Sequence, residues 1–166
     1  MKKLSVLFAA VMMFMSVGVA KAQKVASLNV AEVLSLMPEK KKADEQLTAF
    51  RTTKEAEIKK QMESYQATLQ KYSEEAPKQT QQVNDTRTAE LQKLQQNIQQ
   101  MTVAAEKDMA GRMDTAYAPI EKKFNDAVSK VAKANGWDFV FDSNSDGLIY
   151  KGGPDATPAV KKELGL

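Results

Sequence analysis

The stretch Trp137–Gly152, WDFVFDSNSDGLIYKG, breaks with the chain before it. Upstream the sequence is rich in Gln, Lys, Glu and Ala, with little turn chemistry; here it changes to aromatic and β-branched residues around a polar loop. In Trp137-Asp138-Phe139-Val140-Phe141-Asp142 the aromatics alternate, so they share one face of an extended strand. Leu148-Ile149-Tyr150 reads as a second strand, and the two predict a hairpin. Two strands alone are marginal in water. The only other strand-like segment, Lys24–Val30 (KVASLNV), lies at the far end of the chain. One sheet containing all three requires the intervening chain to fold back on itself.

The intervening residues have the means to do so. Met37-Pro38 punctuates a short helical segment at Ala31–Leu36, because the residue before proline is pushed out of the helical region. Leu47, Phe50, Lys54, Ile58, Met62, Tyr65, Leu69 and Tyr72 then recur in steps of three and four, one stripe of a long helix. Ser73–Lys78 (SEEAPK) is the break. A second stripe runs Val83, Arg87, Leu91, Leu94, Ile98, Met101, Ala105, Met109, Met113, Tyr117, Ile120, Phe124, Val128 and Val131. Gly111 and Pro119 are its soft points, and the proline predicts a kink. Asn135-Gly136 supplies a left-handed helix end. Thr157-Pro158 opens a closing helix through Leu164, with the threonine as cap. Two helices joined by a short turn make an antiparallel hairpin, an arm of roughly 50 Å at 1.5 Å per residue. The fold class is therefore mostly α with a small β body.

The first residues and the composition limit the function. Lys2 and Lys3, the apolar run Leu4–Met15 and the closing Ala20-Lys21-Ala22 have the order of a cleaved export signal, with the mature chain starting at Gln23. The full chain has 24 basic and 21 acidic residues; removing residues 1–22 takes away three lysines and leaves 21 of each. A neutral mature chain gives no polybasic case for nucleic acid. Cysteine and histidine are both absent, which excludes thiol catalysis, disulfides and the usual general base. No catalytic constellation remains, so no enzyme and no cofactor are expected.

Asp142, Asn144, Asp146 and Gly147 match the first positions of a calcium-binding loop. Its twelfth position falls on Gly153 instead of a glutamate, and a strand precedes it where a helix belongs. Asp, Asn, Ser and Gly are also what a tight turn uses. The loop is read as a turn, with no metal.

The order of parts resembles the Skp (OmpH-like) periplasmic chaperones. The segments that carry the likeness are KVASLNVAEVLSLMPE (24–39), PIEKKFNDAVSKVAKANGWDFVFD (119–142) and DATPAV (155–160). The arms match only in length and periodicity. The resemblance implies a trimeric "jellyfish", in which strands of three protomers form a small barrel-like body and helical hairpins project as arms. In those terms residues 1–22 are a signal, 23–37 and 113–166 the body, and 38–112 the arm with its tip near 73–78. Val25, Leu28, Trp137, Phe139, Phe141, Leu148, Ile149 and Tyr150 would form the oligomeric body.

The implied function is that of an ATP-independent periplasmic holdase. It binds unfolded outer-membrane β-barrel proteins between its arms and prevents their aggregation, without nucleic acid and without inserting in a membrane. Better-known relatives are strongly basic, whereas Lys71 and Lys78 near this tip are balanced by Glu74 and Glu75. That balance argues against a lipopolysaccharide site. Client capture then falls to apolar side chains along the arms, with Phe50, Met62, Tyr65, Tyr72, Met101 and Met109 as candidates. Taken singly, each reads first as a seam residue facing the partner helix. The competing reading is a periplasmic coiled-coil adaptor docking one folded partner; its flanking β segments are short for that, and the tip is soft and polar.

Overall fold

The computed structural model describes residues 23–147 and 149–166. The expected signal with its cleavage site, and Leu148 of the expected oligomeric body, lie outside the described residues. In chain order the elements are β1 (Val25–Leu28), α1 (Val30–Leu36), α2 (Pro38–Glu75), α3 (Gln81–Asn135), β2 (Phe139–Asp142) and α4 (Thr157–Leu164), with a 3-10 turn at Ala76–Lys78. The chain is mostly helical with one two-stranded sheet. Two compact units emerge, one of residues 23–30 with Ala127–Gly165 and one of Ala31–Asp126.

In the first unit β1 and β2 run parallel, Val25 opposite Phe139 and Leu28 opposite Asp142. This corrects the expected strand hairpin. Ile149 and Tyr150 lie in no strand, and the partner of β2 is the first strand of the chain. Parallel strands require a long crossover, and the two long helices provide it. β1 is also paired on its other side: Ser27 N–H donates to Pro154 O at 2.9 Å, and Ala156 N–H donates to Ser27 O at 2.7 Å. β1 therefore lies in the middle, and β2 pairs with β1 alone among the described residues.

The ends of the helices follow their local chemistry. Gly136 takes φ 65°. Its N–H donates to Lys133 O, and that of Trp137 to Ala132 O, the paired bonds of a left-handed C-terminus. At α4 the expected cap is corrected. Asp155 accepts from the Thr157 N–H at 2.9 Å, while the Thr157 hydroxyl accepts from the Asn29 N–H at 2.9 Å, tying β1 to α4. The Thr157 side chain, then its N–H, hold the Asp155 carboxyl below its ordinary range. Ala26, Leu28, Ala127, Val131, Ala156 and Val160 are the buried apolar residues of this unit.

In the second unit Met37 has ψ 121°, and α2 starts at Pro38, as proline geometry requires. The helix ends at Glu75, followed by Pro77 in the 3-10 turn. Pro119 lies inside α3, which continues through it. Val33, Met37, Ala43, Ile120 and Phe124 are buried.

Candidate functional site

Two surfaces carry chemistry that the folded chain leaves open. The first is one face of the small sheet. Alternation places Ala26 and Leu28 of β1 inward, each 2% exposed, and Val25 outward at 42%. The ladder pairs Val25 with Phe139 and Ser27 with Phe141, so both aromatics join the outward face, at 46% and 48% exposure. Their rings lie 6.1 Å apart at 20°. An aliphatic and two aromatics side by side on an edge-exposed sheet form a surface that soluble proteins normally cover.

The expected body residues thus divide. Val25, Phe139 and Phe141 share the open face, whereas Leu28 belongs to the unit's own core. Trp137 precedes β2 and is half-buried. Ile149 and Tyr150 are almost fully exposed on the following loop. In that loop Asp142 accepts the Asn144 N–H at 3.0 Å, the self-capping that turn residues provide. No cluster of acidic side chains suited to a metal occurs among the described residues.

The second surface is the seam of the α2–α3 hairpin. Near the turn Tyr72 donates to Glu90 at 2.7 Å, Arg87 donates to Glu75 at 2.5 Å, and Arg87 lies 4.5 Å over the Tyr72 ring. Further along, Arg112 stacks 4.2 Å over Phe50. At the far end Tyr117 donates to Asp44, and Lys123 to Glu39. Each step back along α2 is matched to within one residue by a step forward along α3, which is antiparallel pairing in constant register.

The electrostatics follow from these contacts. The Lys40 ammonium, then the Tyr117 hydroxyl, hold the Asp44 carboxyl below its ordinary range. Lys123 does the same for Glu39. Glu90 pushes the Tyr72 phenol up, and Asp44 that of Tyr117.

Between the polar ends the seam opens into a groove. A stretch of about 750 Å³ has Phe50, Ile58, Ala105 and Met109 among its walls, and an adjoining one of about 420 Å³ is bordered by Ile58 and Met62. The cause is side-chain size: Thr102 and Ala105 of α3 are too small to fill the space beside Ile58. Phe50, Met62 and Met109, three of the six candidate arm residues, line it; Tyr65, Tyr72 and Met101 are outside its walls. Periodicity alone could not reveal the groove, since Ala and Thr at seam positions read as ordinary helix residues. The polar tie near the turn was equally hidden, because Arg87 looks like an interruption until the register is known. Among the described residues no helix is long and apolar enough to cross a membrane.

Residues 24–164 match the model of the family described as outer membrane protein (OmpH-like). The chain belongs to the OmpH-like family. Among solved structures it is similar to a candidate outer membrane chaperone (OmpH-like) from Caulobacter crescentus. The TM-score is 0.71 with 15% identity, covering 86% of this chain and 84% of that one. At that identity the likeness speaks for the fold of the OmpH-like chain and for nothing finer. Comparison with curated proteins finds no match.

Proposed function

We propose that this OmpH-like chain is an ATP-independent holdase of the periplasm that keeps unfolded outer-membrane β-barrel proteins from aggregating. Export by the N-terminal signal, with cleavage after Ala22, would bring it there. The observation that carries the reading is the pairing of two uncovered apolar surfaces on a chain without histidine or cysteine. One is the Val25–Phe139–Phe141 sheet face, the other the groove of the helical hairpin. The sheet face suits self-assembly. Copies joined there, three by family resemblance, would extend the sheet past the outer edge of β2, which has no partner among the described residues, and cover both phenylalanines.

The hairpins of the assembled copies then offer several weak apolar contacts to one client, and their shared tether raises the effective concentration of each. No nucleotide enters, because nothing in this account consumes one. Capture is by apolar burial, about 25 cal/mol per Å² removed from water. The balanced charges give little long-range attraction, so no lipopolysaccharide role is included. The test is dilution of a urea-unfolded outer-membrane barrel into buffer, with and without the mature protein and without nucleotide, followed by light scattering. Suppressed scattering is expected; undiminished aggregation at a molar excess of the protein would reject the holdase.

A further inference from the structure

The seam groove has the length, lining and charge of a site for an extended polypeptide. Its two stretches share Glu55, Ile58 and Thr102, so they form one channel on one side of the hairpin. Its walls run along α2 from Asp44 to Gln66, about 33 Å at 1.5 Å per residue. That is room for about ten residues of extended chain, far more than one side chain needs. The floor is made of Phe50, Ile58, Met62, Ala105 and Met109, and flexible thioethers accommodate many shapes.

The rim is internally neutralised. Arg51 pairs with Glu55 at 2.7 Å, Lys54 with Glu57 at 2.7 Å, and Lys59 with Glu63 at 3.9 Å. Glu106 in the lining and Arg112, stacked on Phe50, make no ion pair among the described residues, and their opposite charges leave the groove close to neutral. A near-neutral groove gives an anionic headgroup no charge partner and suits an uncharged occupant.

We infer that the α2–α3 groove binds an extended, uncharged segment of alternating apolar and small polar residues. Such a segment buries one face in the channel and leaves the other in water. This rests on the holdase reading for its partner, an unfolded chain, and places part of the capture within each hairpin's own seam.

The experiment exploits the absence of cysteine. Met62→Cys, in the groove, and Gln96→Cys, on the exposed surface of α3, each carry one environment-sensitive fluorophore. The probe is a capped peptide of about ten residues, leucine and phenylalanine alternating with serine and threonine. A saturable blue shift is expected at position 62 and none at 96. Ala105→Trp, which fills the channel, should weaken the peptide at least tenfold, with helicity and mass retained. Met109→Asn, which makes the floor polar without adding bulk, should weaken it several-fold and serves if the tryptophan disturbs the helices. Equal shifts at both labels, or no effect of a folded groove variant, would overturn the inference. So would a shift with dodecanoate and none with peptide. Aggregation suppressed by the unmodified protein without any peptide response would remove the groove and keep the holdase; peptide response without suppression would do the reverse.

Discussion

The Tyr117 hydroxyl donates to Asp44 Oδ1 at 2.7 Å, joining residues 73 positions apart. The other carboxylate oxygen takes Lys40 Nζ at 2.6 Å. Asp44 is thus shared between its own helix and the opposite one, and it fixes which turns of α2 and α3 lie side by side. Tyr117→Phe should lower stability by about 0.5–1.5 kcal/mol, the net worth of such a bond, towards the lower end because the site is half-open to water. Urea unfolding followed by helicity reads it; an unchanged midpoint would mean the bond contributes nothing.

Acid should loosen the same hairpin. Lys40 and Tyr117 depress Asp44, and Lys123 depresses Glu39. Folded values below the ordinary ones mean stability that is fully present above about pH 4 and is lost as pH falls through the depressed values. With no histidine in the chain, no side chain ordinarily titrates near pH 6–7. The melting temperature should therefore stay level from pH 8 to 5 and drop below about 4. Asp44→Asn should flatten part of that drop. A fall beginning near pH 6.5 would contradict this assignment.

Two glycines should respond in opposite directions to alanine. Gly111 sits inside α3, and a Cβ there would meet nothing within 4 Å, so Gly111→Ala should stabilise by about 0.5–1 kcal/mol. Gly136 has equal room but φ 65°, so Gly136→Ala should destabilise by about 1 kcal/mol. Paired urea titrations decide it; the same sign at both positions would refute the conformational explanation.

Much of this was legible in the sequence. The two stripes and the SEEAPK break predict α2 and α3, and Met37-Pro38 and Asn135-Gly136 mark ends close to where the helices stop. The period of the aromatics puts Phe139 and Phe141 on one face, as found. The partner of β2 was not legible as drawn, because a polar turn between apolar runs signals a hairpin whether or not a distant strand competes. β1 wins here, with β2 on one side and Pro154–Ala156 on the other. The groove escaped for a different reason: it is made by what Thr102 and Ala105 lack.

Assembly should fail when the open sheet face is charged. Phe139→Asp puts a carboxylate where the account places a neighbouring protomer, and loss of a core aromatic costs about 3–5 kcal/mol. Monomers or unfolded chain are expected by light scattering, against an oligomer for the unmodified protein. A variant with unchanged mass and helicity would show that this face is not the interface.

The central claim is that an unfolded barrel is held by apolar burial, and salt dependence tests it most directly. Opposite charges attract less as salt shortens the screening length, about 8 Å at physiological strength, whereas apolar burial persists. With 24 basic and 21 acidic residues, less three lysines in residues 1–22, residues 23–166 carry no net charge. The measurement is the apparent affinity for a urea-unfolded outer-membrane barrel, from suppression of light scattering across a salt series without nucleotide. The account predicts suppression throughout, with affinity changing only modestly between low and moderate salt; a steep loss of affinity over that range would contradict it.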